Sequence, residues 1–389
     1  MRKASAIVMG VAMAATTIFG CTSFADEVSP EDVKIAIVCD YAGQHDNGYN
    51  QKAVEGAVEM AETYGIEYNV IELTESVGDT LATLADDGYN LIFNMAYDFD
   101  ALIKGEAGGE PVAAQYPDTT FVIFNDTPNV DEEGNTIHDN VISVLYNVNE
   151  SSYLAGALYA LVNENADVLF GDGYQFTSPE EARGFGFIGG SDSAGIQVFS
   201  IGYIEGVQKI AEEYDVTYDY YEKLDAGFAD AATGSTVAGT YFDQGANCVY
   251  GCAGTVGDGV TAKAKEKGKL AIQVDANKDD QQPGYVLTSV IKNTNVVVKT
   301  LTEAMLNGEI DQVDRTNIYD LASGATGITD LATISEYIKD DEAAQAKWQE
   351  IQDKIAELSA QISDGTIVVT NAQNGETLDR ATCPNINFN

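Results

Sequence analysis

The chain contains 389 residues, of which 62 are acidic and 20 are basic, so its formal charge is −42 at pH 7. A field of this sign repels nucleic acids and anionic lipid surfaces, and we expect neither as a partner. The chain has only 2 histidines, which excludes a histidine-rich zinc site, and we expect neither a metal nor a cofactor.

Residues 1–25 have the composition of an export signal. Two basic residues precede an uncharged and mostly apolar stretch that extends to Gly20. Ile18–Cys21 resembles a lipobox, in which case Cys21 is the lipid attachment residue and the lipid is the only link to a membrane. Ser23–Ala25 instead fits the small-x-small rule of ordinary signal peptidase, which predicts a freely secreted protein. Both processing sites remain open.

After the signal, apolar runs rich in β-branched residues alternate with helical patterns. This alternation predicts an α/β fold in which helices cover both faces of parallel sheets. The predicted strands are Val33–Cys39, Glu67–Leu73, Leu91–Met95, Phe121–Phe124, Val141–Tyr146, Gly184–Ile188, Val216–Tyr221, Cys248–Tyr250, Leu270–Val274 and Tyr285–Ser289. The predicted helices are Asn50–Tyr64, Ser151–Val162, Phe199–Tyr214, Thr233–Gln244 and Val256–Lys267.

The two halves of the chain repeat the same order of strand, polar or glycine-rich loop, long helix and second strand. This repetition predicts two lobes with a cleft between them. We assign residues 33–149 with about 285–308 to the first lobe, and 150–284 with about 309–370 to the second. Residues 371–389 form a C-terminal tail without a clear pattern.

Three further segments have a simple interpretation. Residues 334–362 form a charged helix on the outside of the molecule, and 363–369 end in a last short strand. Residues 172–183 lack apolar periodicity, which predicts an exposed excursion.

Six of the predicted strands are followed by Asp, Asn or Gly at the carboxyl edge of the sheets. One such residue is ordinary turn chemistry, but several along one edge predict a binding cleft, because ligands of open α/β sheets bind at the carboxyl ends of strands. The loop after the first strand lacks the glycines or the lysine of a phosphate site. Its carboxylates, amides and tyrosine suit a neutral ligand with hydroxyls and a flat ring. The residues at the strand ends are Asp40, Asn94, Asn125, Asp126, Gly189, Gly190, Gly251, Gly254 and Asp275.

Three carboxylates are candidates to accept hydrogen bonds from ligand hydroxyls: Asp40, Asp126 and Asp275. The alternative role of each is an Asx turn or a helix N-cap, and Asp40 is the most natural cap because a helix follows closely. Lys292, just past the predicted strand Tyr285–Ser289, is either a donor to the ligand held by a carboxylate such as Asp275 or a solvated surface lysine.

Three aromatic residues lie near boundaries between loops and helices, namely Tyr49, Phe199 and Phe228. Two of them on opposite lobes can sandwich a flat base, and the alternative role of each is ordinary core packing.

Enzyme signatures are missing from the sequence. The nearest match to a Gly-x-Ser-x-Gly elbow, Gly190–Gly195, has the wrong spacing. Asp40–Asp46 has a slight similarity to the calcium loop of nucleoside hydrolases, but Ala42 stands where that loop requires Asp. We therefore expect a binding protein that is not an enzyme.

The order and spacing of many short motifs between residues 33 and 370 resemble those of basic membrane protein family lipoproteins, which include the purine nucleoside receptors of ABC transporters. The motifs are Ile37-Val-Cys-Asp40, Gly48-Tyr-Asn-Gln51, Glu55-Gly56, Gly88–Phe93, Tyr116-Pro117, Phe121–Asp126, Tyr153–Gly156, Phe187–Gly190, Phe199 with Gly202 and Gly206, Gly254 with Gly257–Gly259, Val274-Asp275, Leu287–Lys292 and Ile362–Val369.

The resemblance implies the type I periplasmic-binding-protein fold, with two doubly wound parallel-sheet lobes joined by hinge strands. It also implies that Tyr49 and Phe199 stack on the two faces of a base, and that Asn50 and Asp126 hydrogen-bond the base. Asp275 and Lys292 then hold the ribose hydroxyls near the backbone of Gly254. Tyr49 departs from the family, in which phenylalanine is common at this position.

The sequence therefore predicts an extracytoplasmic solute-binding protein of an ABC importer, which binds a nucleoside of the purine type and delivers it to a cognate permease. A ligand-binding sensor or surface receptor for a small ring-bearing polyol remains an alternative, because its cleft would be the same. A nucleoside hydrolase is a third possibility.

Overall fold

The computed structural model describes residues 28–46, 48–74 and 76–389. The predicted export signal and Cys21 lie outside the described residues. The strands are β1 Lys34–Cys39, β2 Glu67–Glu72, β3 Leu91–Asn94, β4 Thr120–Phe124, β5 Val141–Tyr146, β6 Gly184–Gly189, β7 Tyr218–Lys223, β8 Ala246–Cys252, β9 Leu270–Asp275, β10 Val286–Lys292, β11 Thr316–Tyr319, β12 Thr326–Ile328 and β13 Ile386–Phe388. The α-helices are α1 Tyr49–Tyr64, α2 Val77–Asp86, α3 Asp100–Ile103, α4 Val112–Gln115, α5 Val148–Glu164, α6 Ala166–Leu169, α7 Ala194–Tyr214, α8 Ala231–Asp243, α9 Thr255–Lys267, α10 Thr294–Leu306, α11 Ala332–Ser335 and α12 Glu342–Ser363.

The strands form two sheets. The first has six strands in the order β11-β5-β4-β3-β1-β2, and every neighbouring pair is parallel. The second has seven strands in the order β12-β10-β9-β8-β6-β7-β13, and β12 alone is antiparallel to its neighbour. The central strands are buried along their length and strongly apolar, as expected when helices cover both faces of a parallel sheet. The predicted α/β fold with two parallel-sheet lobes is confirmed.

The chain crosses between the lobes at three places among the described residues. The first crossing follows β5 at Asn147, the second follows β10 at Asn293, and the third is the segment 320–325 between β11 and β12. The Asn147 N–H donates to the carbonyl of Tyr319, and the Asn293 N–H donates to the carbonyl of Ala325, at 2.8 Å each. The third crossing is therefore hydrogen-bonded to the other two, and together they form the hinge.

The sequence predicts that residues 285–308 belong to the first lobe, and this prediction is wrong for β10, the strand within that range. β10 pairs with β9 in the second sheet, and only α10 packs in the first lobe, against α1. β11, expected in the second lobe, pairs with β5 in the first sheet. An apolar strand pattern shows that a segment is buried, but it does not show which sheet the segment joins. The sequence therefore could not predict that the chain changes lobe after β10 and again after β11.

Three predictions for outer segments also need correction. No ladder forms at 363–369 in the described chain, and the last strand is β13, which pairs with β7. The predicted single helix 334–362 is divided into α11 and α12. The segment 172–183 is not a simple exposed excursion, because its aromatic side chains Tyr174 and Phe176 pack against Phe170.

Glycines set the close packing of α5 against α7 in the second lobe. A Cβ atom at Gly206 would lie 2.0 Å from the carbonyl oxygen of Tyr153, and a Cβ at Gly156 would lie 2.2 Å from that of Tyr203. The two backbones approach so closely that neither position has room for a methyl group. No helix in the described part of the chain is long and apolar enough to span a membrane.

We expect Gly206→Ala to lower the free energy of unfolding by about 1–3 kcal/mol, because the added methyl group forces α5 and α7 apart despite the better helix propensity of alanine. Urea unfolding followed by circular dichroism measures the change. Gly171→Ala is the matched control, since a Cβ there meets no atom within 4 Å. Equal effects of the two substitutions would contradict the close-packing interpretation.

Candidate functional site

The carboxyl ends of the two sheets meet at one place. Lys292, the last residue of β10, reaches from the second sheet to Asn125, which follows β4 in the first. Nearby, a Cβ atom at Gly48 would lie 3.2 Å from the Cβ of Asp275, the last residue of β9. The loop before α1 therefore faces the end of β9. We call the candidate site around Lys292, Asn125, Gly48 and Asp275 the strand-end cluster.

Asn125 is the centre of the strand-end cluster. Its side-chain oxygen accepts a hydrogen bond of 2.7 Å from the Lys292 ammonium. Its amide nitrogen donates to the hydroxyls of Tyr49 and Tyr97, at 3.2 and 3.0 Å. The backbone is left-handed (φ +68°), a conformation in which asparagine is several-fold enriched. The sequence predicts a ligand contact for the neighbouring Asp126 and assigns no role to Asn125. The tolerance of asparagine for a left-handed backbone is the signal that favours Asn125.

Lys292 is buried among aromatic rings. Its ammonium nitrogen lies 5.7, 5.4 and 5.4 Å from the ring centres of Tyr49, Tyr146 and Phe199. Burial lowers the pKa of this ammonium, and the Asp275 carboxylate acts in the opposite direction. The structure corrects one prediction, since Lys292 ends its strand instead of following it, and it is not a solvated surface side chain.

The Asp275 carboxylate accepts no hydrogen bond from any residue in the described part of the chain. Its backbone is left-handed, with φ +72°. Burial raises the pKa of the Asp275 carboxyl, and the ammonium groups of Lys292 and Lys278 oppose the rise. Lys278 is itself buried and was not selected from the sequence. The Asp275 oxygens are therefore available to accept hydrogen bonds from a ligand.

The loop between β1 and α1 is held together by its own polar groups. Asn50 is fully buried, and its amide donates to Asp40 at 2.7 Å and to Asp46 at 3.0 Å. The amide oxygen of Asn50 accepts from the N–H of Asp40 at 3.0 Å. Both amide hydrogens of Asn50 are thus used within the loop, and neither is left to donate to a ligand.

Gly48 is the N-cap residue of α1, and the side chain that satisfies the first N–H groups of the helix is Asp46 and not Asp40. The Asp46 carboxylate accepts from the N–H groups of Gly48, Asn50 and Gln51, at 2.9, 2.9 and 3.0 Å. Asp40 instead accepts from the N–H of Ala42 at 2.8 Å, which is an Asx turn. Burial raises the pKa of the Asp40 carboxyl, while its hydrogen bonds lower it.

Two of the three predicted aromatic residues are packed into the walls of the lobes. Tyr49 is 6% exposed, and its ring meets Phe124 edge-on at 6.1 Å. Phe199 is 3% exposed and meets Tyr250 edge-on at 6.4 Å. Tyr97, not selected from the sequence, lies roughly parallel to Tyr49 at 6.2 Å and is 59% exposed. Of the two rings whose hydroxyls accept from Asn125, Tyr97 is therefore the exposed one.

Phe228 is an exposed ring of the second lobe, at 51%. It lies over Gly190, where a Cβ would be 2.2 Å from the ring, so only glycine fits beneath it. Its carbonyl accepts from the N–H of Thr255 at 2.9 Å, directly after Gly254, which has φ +52°. The glycines after β6 and β8 thus allow the Phe228 loop to lie on the strand ends.

Asp126 is the one predicted carboxylate that the structure leaves apart from the cluster. Its side chain is exposed and accepts from the N–H of Thr127 at 2.7 Å. No group of three or more metal-ligating side chains occurs among the residues that the structure describes.

One surface groove of about 400 Å³ lies along α1 and the loop before it. It is lined by Gln44, His45, Gln51, Val54, Glu55, Val58, Glu59 and Glu62. None of the predicted site residues is among them.

Comparison with solved structures supports the fold. A solute-binding protein of an ABC transporter system from Aeropyrum pernix superimposes with a TM-score of 0.68 at 21% identity, covering 87% of this chain and 93% of that one. A solute-binding protein of the same kind from Conexibacter woesei gives a TM-score of 0.61 at 18% identity, covering 87% of this chain and 99% of that one. At these identities the likeness concerns the fold alone.

Sequence comparison establishes the family. The ABC transporter nucleoside-binding protein BmpA of Lactococcus lactis is 28% identical, over 95% of this chain and 99% of its own length. The CD4+ T-cell-stimulating antigen of Listeria monocytogenes is 26% identical, over 95% of this chain and 98% of its own. Residues 33–371 match the Bmp family, described as ABC transporter substrate-binding protein PnrA-like. The chain therefore belongs to the Bmp family of PnrA-like ABC transporter substrate-binding proteins.

Proposed function

We propose that the protein binds a purine nucleoside between its two lobes and presents it to the permease of a cognate ABC importer. The observation that carries the proposal is the composition of the strand-end cluster. It combines an exposed aromatic ring on each lobe, Tyr97 and Phe228, with the Asp275 carboxylate and the Lys292 ammonium. Rings suit a flat base, whereas a carboxylate and an ammonium suit hydroxyl groups of a sugar. The name of the Lactococcus lactis relative agrees with this assignment.

The site residues take revised roles in this proposal. Tyr97 replaces Tyr49 as the stacking ring of the first lobe, with Phe228 opposite, while Tyr49 and Phe199 support the cluster from behind. Asp275 and Lys292 hold the sugar, and the mechanism is closure of the hinge without any bond being made or broken. Asp126 is exposed just after β4, and we assign it no contact with the base.

The export signal and the location of the protein are part of the same proposal. We propose that residues 1–25 direct export, and that Cys21 carries the lipid anchor of an extracytoplasmic binding protein. The acidic chain then reaches the membrane only through this lipid, since its charge opposes direct contact with anionic headgroups.

Calorimetry with inosine, guanosine, adenosine and cytidine tests the ligand class, after co-purified ligand has been removed by unfolding and refolding. We expect the purine nucleosides to bind, and cytidine to bind more weakly because its ring offers less area for stacking. Nucleoside 5′-monophosphates should bind at least about tenfold more weakly than nucleosides, because the phosphate meets the Asp40 and Asp275 carboxylates. Absence of binding by every nucleoside, with the circular dichroism spectrum intact, would refute the proposed function.

Tyr97→Ala should weaken nucleoside binding by about 1–3 kcal/mol, the contribution of stacking on one aromatic ring. Tyr97→Phe keeps the ring and should retain most of the affinity. Tyr68→Ala is the control, because Tyr68 is also an exposed tyrosine of the first lobe but lies on β2, at the edge of the sheet. If Tyr97→Ala binds as tightly as Tyr68→Ala, the ring of Tyr97 does not meet the base.

Asp275→Ala should weaken binding by about 1.5–3 kcal/mol, because a hydrogen bond to a charged group is lost. The ionised carboxylate is the accepting form and its pKa is raised by burial, so wild-type affinity should fall as the pH drops through this raised pKa. Asp275→Asn cannot titrate and should bind weakly without this fall. Titrations at several pH values, with Asp280→Asn as a control in the same loop, measure both effects. An unchanged pH profile in Asp275→Asn would remove Asp275 from the site.

A further inference from the structure

The segment 369–376 extends from the second lobe across the hinge, and we call it the C-terminal strap. Thr370 is bound to Glu205 of α7, its N–H and hydroxyl donating to the carboxylate at 3.0 and 2.6 Å. The carbonyl of Val369 accepts from the side chain of Asn149, in α5, at 2.9 Å. The start of the C-terminal strap is therefore fixed to both long helices of the second lobe.

The C-terminal strap then reaches the hinge itself. The Asn371 amide donates to the side-chain oxygen of Asn147, the residue at which the chain first crosses between lobes, at 3.1 Å. The N–H of Asn371 donates to Glu376 at 2.7 Å, which folds the C-terminal strap back on itself. The turn 372–374 is thereby held over the first crossing.

Gln373 continues from the hinge to the strand-end cluster. Its amide nitrogen donates to the carbonyl oxygen of Asn125 at 3.3 Å. Its side-chain oxygen is buried and has no hydrogen-bond partner among the described residues. The N–H of Gln373 donates to the side chain of Asn371 at 3.0 Å, so the glutamine starts from a backbone that is already anchored.

We propose that Gln373 is a positioning residue for the ligand site and acts through Asn125. The left-handed backbone of Asn125 is a conformation that asparagine tolerates, and contacts on both sides of the residue fix it in place. Two backbone contacts hold it here, the N–H to the carbonyl of Val144 at 2.7 Å and the carbonyl to Gln373. The side chain of Asn125 in turn orients Lys292 and Tyr97, so the C-terminal strap sets the geometry of both.

This inference rests on the proposed function for the identity of its ligand. The part of the C-terminal strap that carries Gln373 lies outside the region that matches the family. The matched region ends at residue 371, and Gln373 lies beyond it. The predicted tail without a pattern is thus the part of the chain that connects the outer end of the second lobe to the strand-end cluster.

The test compares Gln373→Ala with Asn387→Ala. Asn387 lies in β13 of the same tail and donates to Asp219 at 2.9 Å, so its loss weakens the tail without touching Asn125. We expect Gln373→Ala to weaken purine nucleoside binding about three- to tenfold, the effect of one lost hydrogen bond, and Asn387→Ala to leave it unchanged. Gln373→Glu, which cannot donate to the Asn125 carbonyl, should weaken binding at least as much.

Hydrogen exchange without ligand gives a second measurement that does not depend on nucleoside binding. We expect faster amide exchange at residues 125–127 in Gln373→Ala than in the wild type, and no change there in Asn387→Ala. If both variants lose thermal stability alike, with wild-type affinity and wild-type exchange at 125–127, the C-terminal strap only stabilises the fold and the inference is wrong. If the wild type binds no nucleoside, the proposed function fails, and the exchange rates alone decide the inference.

Discussion

The hydrogen bond between Lys292 and Asn125 connects the two lobes at the carboxyl ends of their sheets. Lys292 ends β10 and Asn125 directly follows β4, so the registers of these two strands fix their positions. The bond allows a charged group to be buried beside the rings of Tyr49, Tyr146 and Phe199. Each ring contributes about 0.5–2 kcal/mol of cation–π attraction, which offsets part of the cost of taking the ammonium out of water. Among the described residues, the asparagine oxygen is the acceptor to which this ammonium is hydrogen-bonded.

The acidic composition explains why the cluster is balanced as it is. Carboxylates far outnumber bases in the chain, yet Lys292 and Lys278 are both buried near Asp275. Burial raises the pKa of the Asp275 carboxyl, and the ammonium groups of the two lysines oppose the rise. A carboxylate and an ammonium in one cluster offer a hydrogen-bond acceptor and a donor. That combination matches the two faces of a hydroxyl group, which donates one hydrogen bond and accepts others.

The strand and helix order was predictable from the sequence, because buried parallel strands such as β1 and β4 have continuous apolar runs. The strand-end position of the site followed from the same reasoning. Individual roles did not, since an asparagine, an aspartate and a tyrosine each have several uses at a strand end. Asn50 is occupied inside its loop, Asp46 rather than Asp40 satisfies the first N–H groups of α1, and Tyr97 rather than Tyr49 exposes its ring. These outcomes depend on which side of a loop or sheet a side chain faces, and a local pattern does not contain that information.

The sheets to which β10 and β11 belong were not predicted for a related reason, because strand pairing joins segments that are distant in sequence.

The hinge and the strand-end cluster share consecutive residues, which couples closure to the geometry of the site. Lys292 binds Asn125, and the next residue, Asn293, is the second crossing between the lobes. A rotation of the lobes about the hinge changes backbone angles at Asn293 and therefore moves the attachment point of the Lys292 side chain directly. Because the ammonium is held by a group of the opposite lobe, opening must stretch or break that bond. The lysine is thus placed where the energy of this arrangement of the lobes and the geometry of the strand-end cluster depend on the same contact.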